Sequence, residues 1–466
     1  MRALIVLLIA GAAAGCTVGP DYKRPIVTVP DAYRGAAPPE SAAADASPIG
    51  DQAWWEVFQD QQLQQLIGTA LQQNFDLRIA ATRILQAQAQ LGITRADQFP
   101  TVDGGAGASR SRQPKTTVPF ALDPYQVSDF QLTANVAWEI DFWGKFRRAT
   151  EAARATLLAT EWGRRAVATS LISQVASAYF ELRAFDLQLD IATHTLASRR
   201  ESLRLTEVTA SGGATSLVDV RQAEQLVFNA DATISNLERQ IAQQENFISI
   251  LLGRNPSDVP RGASLEQQVH IPEVPVGLPS ALLERRPDIR QAEQLLIAAN
   301  ANIGVAKAAY FPQIALTASG GVESAALSAL FSTPAGLWAV GAGLTQPIFN
   351  AGRTRSRVAL SKAQQEEAVL AYQQAIQQSL REVSDALVGY RKGRDFREKQ
   401  QSLSRAAADA RRLADIRYRG GATSYLEVLD SDTRMFSAEI DVTQAQLSEL
   451  LSMVQVYRAL GGGWQP

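Results

Sequence analysis

A pentapeptide that occurs twice constrains this chain more than any other feature. Gly212-Gly213-Ala214-Thr215-Ser216 returns as Gly420-Gly421-Ala422-Thr423-Ser424, 208 residues later. Gly144-Lys145 returns as Gly352-Arg353 and Leu252-Gly253 as Leu460-Gly461 at the same displacement. Upstream, Phe99-Pro100 matches Phe311-Pro312 and Asp76-Leu77-Arg78 matches Asp288-Ile289-Arg290, displaced by 212. The four-residue difference falls between Pro100 and Gly144. Register thus holds over about 200 residues around one variable loop, which marks two copies of one structural unit.

Each copy has the same contents. A helical stretch rich in Ala, Gln, Leu and Ile comes first, Leu63 to Gln98 and Leu282 to Tyr310, and proline stops each. Two stretches of period-two alternation follow. Phe130, Leu132, Ala134, Val136, Trp138, Ile140 and Phe142 alternate with Gln131, Thr133, Asn135, Ala137, Glu139 and Asp141, a strand with one apolar face. Its copy runs from Trp338 to Ile348, and Val102–Arg110 and Ile314–Glu323 are the weaker partner strands. From about Lys145 to Glu207 no proline interrupts, giving about 90 Å of helix at 1.5 Å per residue. A Gly-Gly turn then leads into a second helix ending near Leu252, and Arg353 to Leu460 repeats the hairpin. The expected divisions are residues 16–60, an extended Pro/Ala-rich start; 61–254 and 281–466, the repeats; and 255–280, a proline-rich linker.

Residues 1–15 read as a signal peptide: a basic Arg2, an apolar run and small residues before Cys16. Ala13-Ala14-Gly15-Cys16 resembles a bacterial lipobox, so Cys16 is the expected lipidation site, palmitate included, tethering the chain to outer-membrane lipid. With one cysteine there is no intrachain disulfide, and with two histidines no His/Cys metal centre; no cofactor is expected. Forty-five Lys and Arg against 47 Asp and Glu give no electrostatic case for nucleic acid. His194 and His270 are isolated, and Gly-x-Ser-x-Gly, His-Glu-x-x-His and phosphate-loop patterns are missing, so the chain does not read as an enzyme.

Strands apolar on one face and small or polar on the other suit a membrane β-barrel with a wet lumen. Four strands cannot close a barrel, since eight is about the minimum, and open edges are forbidden in lipid. Three copies would supply twelve. The fold expected is therefore mixed α and β: a long helical coiled-coil barrel plus a four-strand contribution to a trimeric transmembrane β-barrel.

Three motifs carry a family resemblance: Cys16-Thr17-Val18-Gly19-Pro20-Asp21-Tyr22, Leu283-Glu284-Arg285-Arg286-Pro287-Asp288-Ile289-Arg290, and the run from Tyr418 to Asp430. The sequence resembles the outer-membrane factors of tripartite export systems, the TolC superfamily, and within it the OprM/NodT-type lipoprotein branch. That resemblance implies a homotrimer, a periplasmic helical barrel with a gated inner end, a periplasmic membrane-fusion adaptor and an inner-membrane RND-type pump. The expected role is passive conduction of drugs or other small molecules out of the periplasm. An outer-membrane duct for type I protein secretion and a non-transporting envelope lipoprotein remain as alternatives.

The two Gly-Gly turns are the expected periplasmic tips, with Gly212, Gly213, Ser216, Gly420, Gly421 and Ser424 as the adaptor-docking surface. Leu426 and Asp430 lie four apart on one helix face, and three-fold symmetry would make rings of leucines and carboxylates. Both match aperture-lining positions of the OprM-like branch. Carboxylates near a helix start also sit well on its dipole, but the first copy has Val218 and Gln222 at these places. Arg417 and Arg419 are expected latch partners at the gate, and Tyr418 fits the superfamily's gate tyrosine, although a packed tyrosine reads the same. Thr423 stands where TolC has an arginine, so TolC's own lock does not transfer whole.

Overall fold

Helical and strand periodicities account for nearly all the regular structure in the computed structural model, described over residues 17–34, 49–112, 126–268 and 279–463. The elements run α1 (Trp54–Val57), α2 (Gln61–Gln73), α3 (Phe75–Ala96), β1 (Thr101–Arg112), β2 (Gln126–Glu139), α4 (Lys145–Ser211), α5 (Leu217–Leu251), then α6 (Leu282–Arg285), α7 (Pro287–Ala308), β3 (Gln313–Ser324), β4 (Gly336–Thr345), α8 (Arg353–Arg419) and α9 (Tyr425–Ala459). The copies match in length. Helices α3 and α7 each have 22 residues, α4 and α8 each 67, and α5 and α9 each 35. Among the described residues no helix is long and apolar enough to cross a membrane. Residues 1–16, including Cys16, lie outside the described residues, as do His270, part of the variable loop and part of the linker.

Two compact units form, each drawn from both repeats. One gathers the residues up to Ile26, Arg83–Thr160 and Gln291–Tyr372; the other gathers Val27–Thr82, Glu161–Arg290 and the residues from Gln373.

The first unit holds an antiparallel sheet in the order β1-β2-β3-β4. Val102 stands opposite Val136, Leu132 opposite Val322, and Ala318 opposite Val340. Directly opposed residues share a face, so these side chains form one apolar face while Asn135, Thr133 and Thr317 lie on the other. Strand β2 ends at Glu139, short of the expected Phe142, because Asp141 turns to cap α4. Its carboxylate accepts from Phe146 N at 3.1 Å and Arg147 N at 2.8 Å. Strand β4 ends at Thr345, before Pro347, which has no N–H to give the ladder. Beyond the strand ends Trp143 stacks on Phe311 at 4.6 Å and donates to Pro312 O at 2.8 Å.

The start of the chain is pinned to this unit as an extended strap. Val18 N donates to Trp143 O at 3.1 Å, Asn300 Nδ2 to Pro20 O at 2.9 Å, and Arg148 Nη2 to Asp21 at 2.7 Å. Arg24 forms a bidentate pair with the buried Glu293 at 2.6 and 2.7 Å, and Tyr22 OH donates to the same carboxylate. Gly19, at φ +118°, lies so close to Gly304 that a Cβ would sit 2.6 Å from its Cα. The motif from Cys16 to Tyr22 is thus legible, over its described residues, as docking chemistry.

In the second unit, the expected helix Leu63–Gln98 is two helices. Asn74 breaks it by capping α3, accepting from Leu77 N at 3.1 Å and donating to Leu251 O at 2.9 Å. The copy, expected from Leu282 to Tyr310, breaks at Pro287, which starts α7 without an N–H. Arg286, just before it, is buried and ties Asp288, Glu382 and Ala459 O together. Asp60 caps α2 and accepts from Gln62 N (2.8 Å), Leu63 N (3.2 Å), Tyr179 OH (3.0 Å), Ala263 N (3.0 Å) and Gln268 Nε2 (2.9 Å).

Burial alone would raise the Asp60 pKa, but the donors led by Gln268 outweigh it and hold the carboxyl below its ordinary 3.8. A depressed folded-state pKa gives stability that is complete above the unfolded value and is lost as pH falls through the folded one. Asp60→Asn is therefore expected to cost roughly 2–3 kcal/mol near neutrality and to flatten the acid limb below pH 3.8. Denaturant titrations at several pH values check this; an unchanged acid limb contradicts it.

Candidate functional site

Both hairpin turns solve the same local problem in the same way. At the end of α4, Gly213 N donates to Ala210 O at 3.0 Å and Ala214 N to Thr209 O at 2.9 Å; at the end of α8, Gly421 N donates to Tyr418 O at 2.9 Å and Ala422 N to Arg417 O at 2.9 Å. This is the Schellman pair that satisfies the last carbonyls of a helix. It requires a left-handed residue, and Gly213 (φ +78°) and Gly421 (φ +70°) supply it. Ser216 and Ser424 then start α5 and α9 as N-caps.

The two turns part company at the third residue of the new helix. Asp219 closes a capping box with Ser216, accepting from its backbone N at 2.9 Å. Glu427 does not cap. Its carboxylate accepts from Thr423 Oγ1 and pairs with Arg417 Nη1 at 3.2 Å, which staples the second turn.

The remaining expected gate residues are not drawn into that staple. Arg419 pairs back along its own helix with Asp415 at 3.0 Å, and Asp430 pairs with Arg434 at 2.8 Å; Asp430 contacts neither Arg417 nor Arg419. Leu426 is 59% exposed beside Asp430 on one face of α9, while Tyr425, Val428 and Leu429 are buried on the other. Tyr418 packs on Tyr425 with ring centroids 5.2 Å apart. Burial, with Tyr425 and Asp219 nearby, pushes its phenol pKa up, so the hydroxyl stays protonated at physiological pH.

Behind the turns the hairpins share a core in which Ala223 of α5 meets Ala414 of α8 and Tyr425, Val428 and Leu429 of α9. A buried ion cluster joins them just above. Arg199 of α4, its side chain 2% exposed, donates to Asp432 of α9 at 2.8 Å and to Leu226 O at 3.0 Å, and lies 4.9 Å from the Phe436 ring. Arg411 of α8 reaches the same carboxylate at 3.4 Å. The sequence reading missed this cluster. The signal was in the repeat, because Arg199 and Arg411 correspond to Ala407 and Leu203.

A groove of about 710 Å³ runs between the two turns, lined by Leu205, Thr209, Thr215, Tyr418, Gly421 and Thr423 among others. No cluster of metal-ligating side chains occurs among the described residues, and His194 is exposed and faces only Asp190 one helical turn away.

Comparison with known proteins bears on this geometry. The family model for the outer membrane efflux protein matches residues 66–254 and 278–462, once per repeat. The chain is 39% identical over 453 residues to the probable efflux pump outer membrane protein TtgC of Pseudomonas putida, covering 97% of this chain and 93% of that one. It is 34% identical over 463 residues to the cation efflux system protein CusC of Escherichia coli, covering 99% of each. The crystal structure of the open state of the Neisseria gonorrhoeae MtrE outer membrane channel superposes with a TM-score of 0.88 at 32% identity, covering 97% of this chain and 99% of that one.

Removing one partner from a buried ion cluster leaves an uncompensated charge. Asp432→Ala is expected to destabilise the paired hairpins by roughly 3 kcal/mol, whereas Asp430→Ala, at an exposed pair, should stay within about 0.5 kcal/mol of wild type. Chemical denaturation of both variants checks the contrast, and equal effects contradict it.

Proposed function

The chain belongs to the outer membrane efflux protein family, and from that premise we propose that it works as a passive duct whose wall two further copies of itself complete. It is the outer-membrane channel of a tripartite efflux system, seated in the outer membrane with a helical barrel in the periplasm. The observation that carries the reading is the sheet, with one apolar face, one polar face and the edges of β1 and β4 unpaired among the described residues. Three copies give twelve strands, with β4 of each copy pairing with β1 of the next. Large exposed side chains on the apolar face, such as Trp338 and Val340, favour contact with lipid. Exposed Phe228, Leu370 and Leu403 on the hairpin helices favour helix packing between copies.

Lipid on Cys16 anchors the chain, and the strap from Val18 to Arg24 fastens that anchor to the unit that holds the sheet. The two turns, with Gly212, Gly213, Ser216, Gly420, Gly421 and Ser424, and the groove that Gly421 lines, receive a hairpin of the periplasmic adaptor; small residues allow the close approach. An RND-type inner-membrane pump supplies the energy, since a duct performs conduction and no catalysis. Drugs or other small molecules are the cargo class.

Rings of Leu426 and Asp430 narrow the inner mouth, the first by dewetting and the second by its charge. Opening moves α9 at its tip. The staple of Arg417 and Glu427, exposed and worth little in water, ties that tip to α8 beside the buried contacts of Tyr425, Val428 and Leu429, while the pair of Asp430 and Arg434 lies within α9 and moves with it. The buried cluster around Asp432 keeps the hairpins joined behind them.

Combined Arg417→Ala and Asp430→Ala substitutions are expected to raise single-channel conductance in planar bilayers. Unchanged conductance removes the gate assignment. Cys16→Ser should abolish metabolic lipid labelling of the chain, and a persistent labelled band places the lipid elsewhere. Cells lacking the gene should accumulate more of a fluorescent efflux dye; equal accumulation speaks against small-molecule efflux.

A further inference from the structure

The charges of the sheet are sorted by face. Its four carboxylates, Asp103, Asp129, Glu139 and Glu323, fall by register on the face that carries Thr133 and Asn135. Its two guanidiniums, Arg110 and Arg112, fall on the opposite face with Val102, Leu132 and Trp138, and stand opposite Ser128 and Gln126. Arg110 Nη2 donates to Gln126 Oε1 at 2.8 Å, a contact between two side chains of that apolar face. Neither arginine has an ion pair with another described residue.

Height along the strand gives these arginines their setting. Eight residues separate Val102 from Arg110 on one face of β1, about 26 Å along the strand and about 20 Å of height at a barrel tilt near 40°. The apolar band of an outer-membrane barrel is about 25 Å tall, so, counted from Val102, Arg110 comes within about 5 Å of its outer rim and Arg112, two residues on, stands at it. A cation is costly at the middle of that band and nearly free at its edge. Among the described residues no carboxylate of the sheet shares the face of Arg110 and Arg112, which leaves the membrane to offer the counter-charge.

Resting on the duct reading above, we propose that Arg110 and Arg112, with Gln126 and Ser128, form on each copy a lipid-facing cradle for the phosphate groups of a phosphorylated glycolipid of the outer leaflet. Guanidinium forks meet phosphate oxygens in pairs. A phosphate monoester offers three oxygens and up to two charges, which two neighbouring arginines match better than they match the single charge of a phosphodiester. The Gln126 amide, its oxygen already accepting from Arg110, still has N–H donors to give, and Ser128 adds a hydroxyl. In the trimer the cradles make a ring of six guanidiniums around the outer rim, set on the face that the cargo never touches.

The test uses the full chain, purified in detergent as its assembled form, with lipid binding counted by native mass spectrometry. Diphosphorylated lipid A is expected to bind roughly tenfold or more tightly than its dephosphorylated form, and the double variant Arg110→Gln, Arg112→Gln should lose that preference while keeping its assembly and conductance. Phosphatidylglycerol should bind more weakly than the diphosphorylated glycolipid, and inorganic phosphate should not displace it. No preference in the wild type, a preference surviving in the variant, equal binding of phosphatidylglycerol, or displacement by inorganic phosphate would each overturn the cradle. A wild-type chain that neither assembles nor conducts refutes the duct reading itself, a separate result.

Discussion

Backbone hydrogen bonds left unmade at two strand edges govern everything else about this molecule. Strands β1 and β4 each present a row of N–H and C=O groups that the chain does not pair within its own sheet. In water such edges are tolerable; in hydrocarbon each unsatisfied group costs several kcal/mol. A sheet that is apolar on one face cannot therefore enter a bilayer alone, and in the proposed duct its missing strands come from copies of the same chain. On that proposal trimerisation is a condition of insertion and not a later elaboration. The exposed apolar residues on the long helices follow from the same requirement, since helices attached to a closed ring of strands are brought side by side.

Duplication supplies the architecture, and the proposed gating rests on the departures from duplication. Paired helices are equal in length, and both hairpins turn through the same glycine-dependent hydrogen bonds. Every charged or aromatic side chain that distinguishes the second tip has a different residue at its counterpart: Arg417 against Thr209, Tyr418 against Ala210, Asp430 against Gln222, Arg434 against Leu226. The result is a gradient of stiffness. Arg199, Asp432 and Arg411 form a desolvated cluster in which no partner can leave cheaply. Toward the turn, the pairs of Arg417, Arg419 and Asp430 are exposed to water and exchange easily. The proposed gating places its motion at this exposed end.

How much of this could be read from the sequence depended on how local its cause was. The alternation from Phe130 to Trp138 and the long proline-free runs are properties of neighbouring residues, and the strands and hairpins came out near their expected places. Gly213 and Gly421 were legible because a left-handed turn asks for one residue type. The breaks at Asn74 and Pro287 and the early end of β2 were not, although capping residues stood in plain view: Asn74 and Asp141 read as helix-compatible and strand-compatible until their backbone partners are known. The strap interactions of Tyr22 and Arg24 with Glu293 span about 270 residues, beyond any periodicity. The cluster at Asp432 was hidden in the same way, since its three members come from three helices, and subtracting one repeat from the other singles out only its two arginines, Asp432 having the acidic Glu224 as its counterpart.

The claim on which the rest stands is that the barrel closes through three copies and not within one. Native mass spectrometry of the purified, detergent-solubilised protein measures it directly. Closure through copies requires a single species of three chains, with no folded monomer at any protein concentration at which the β-sheet persists. A monomer or dimer that keeps its sheet and inserts into a bilayer would contradict it.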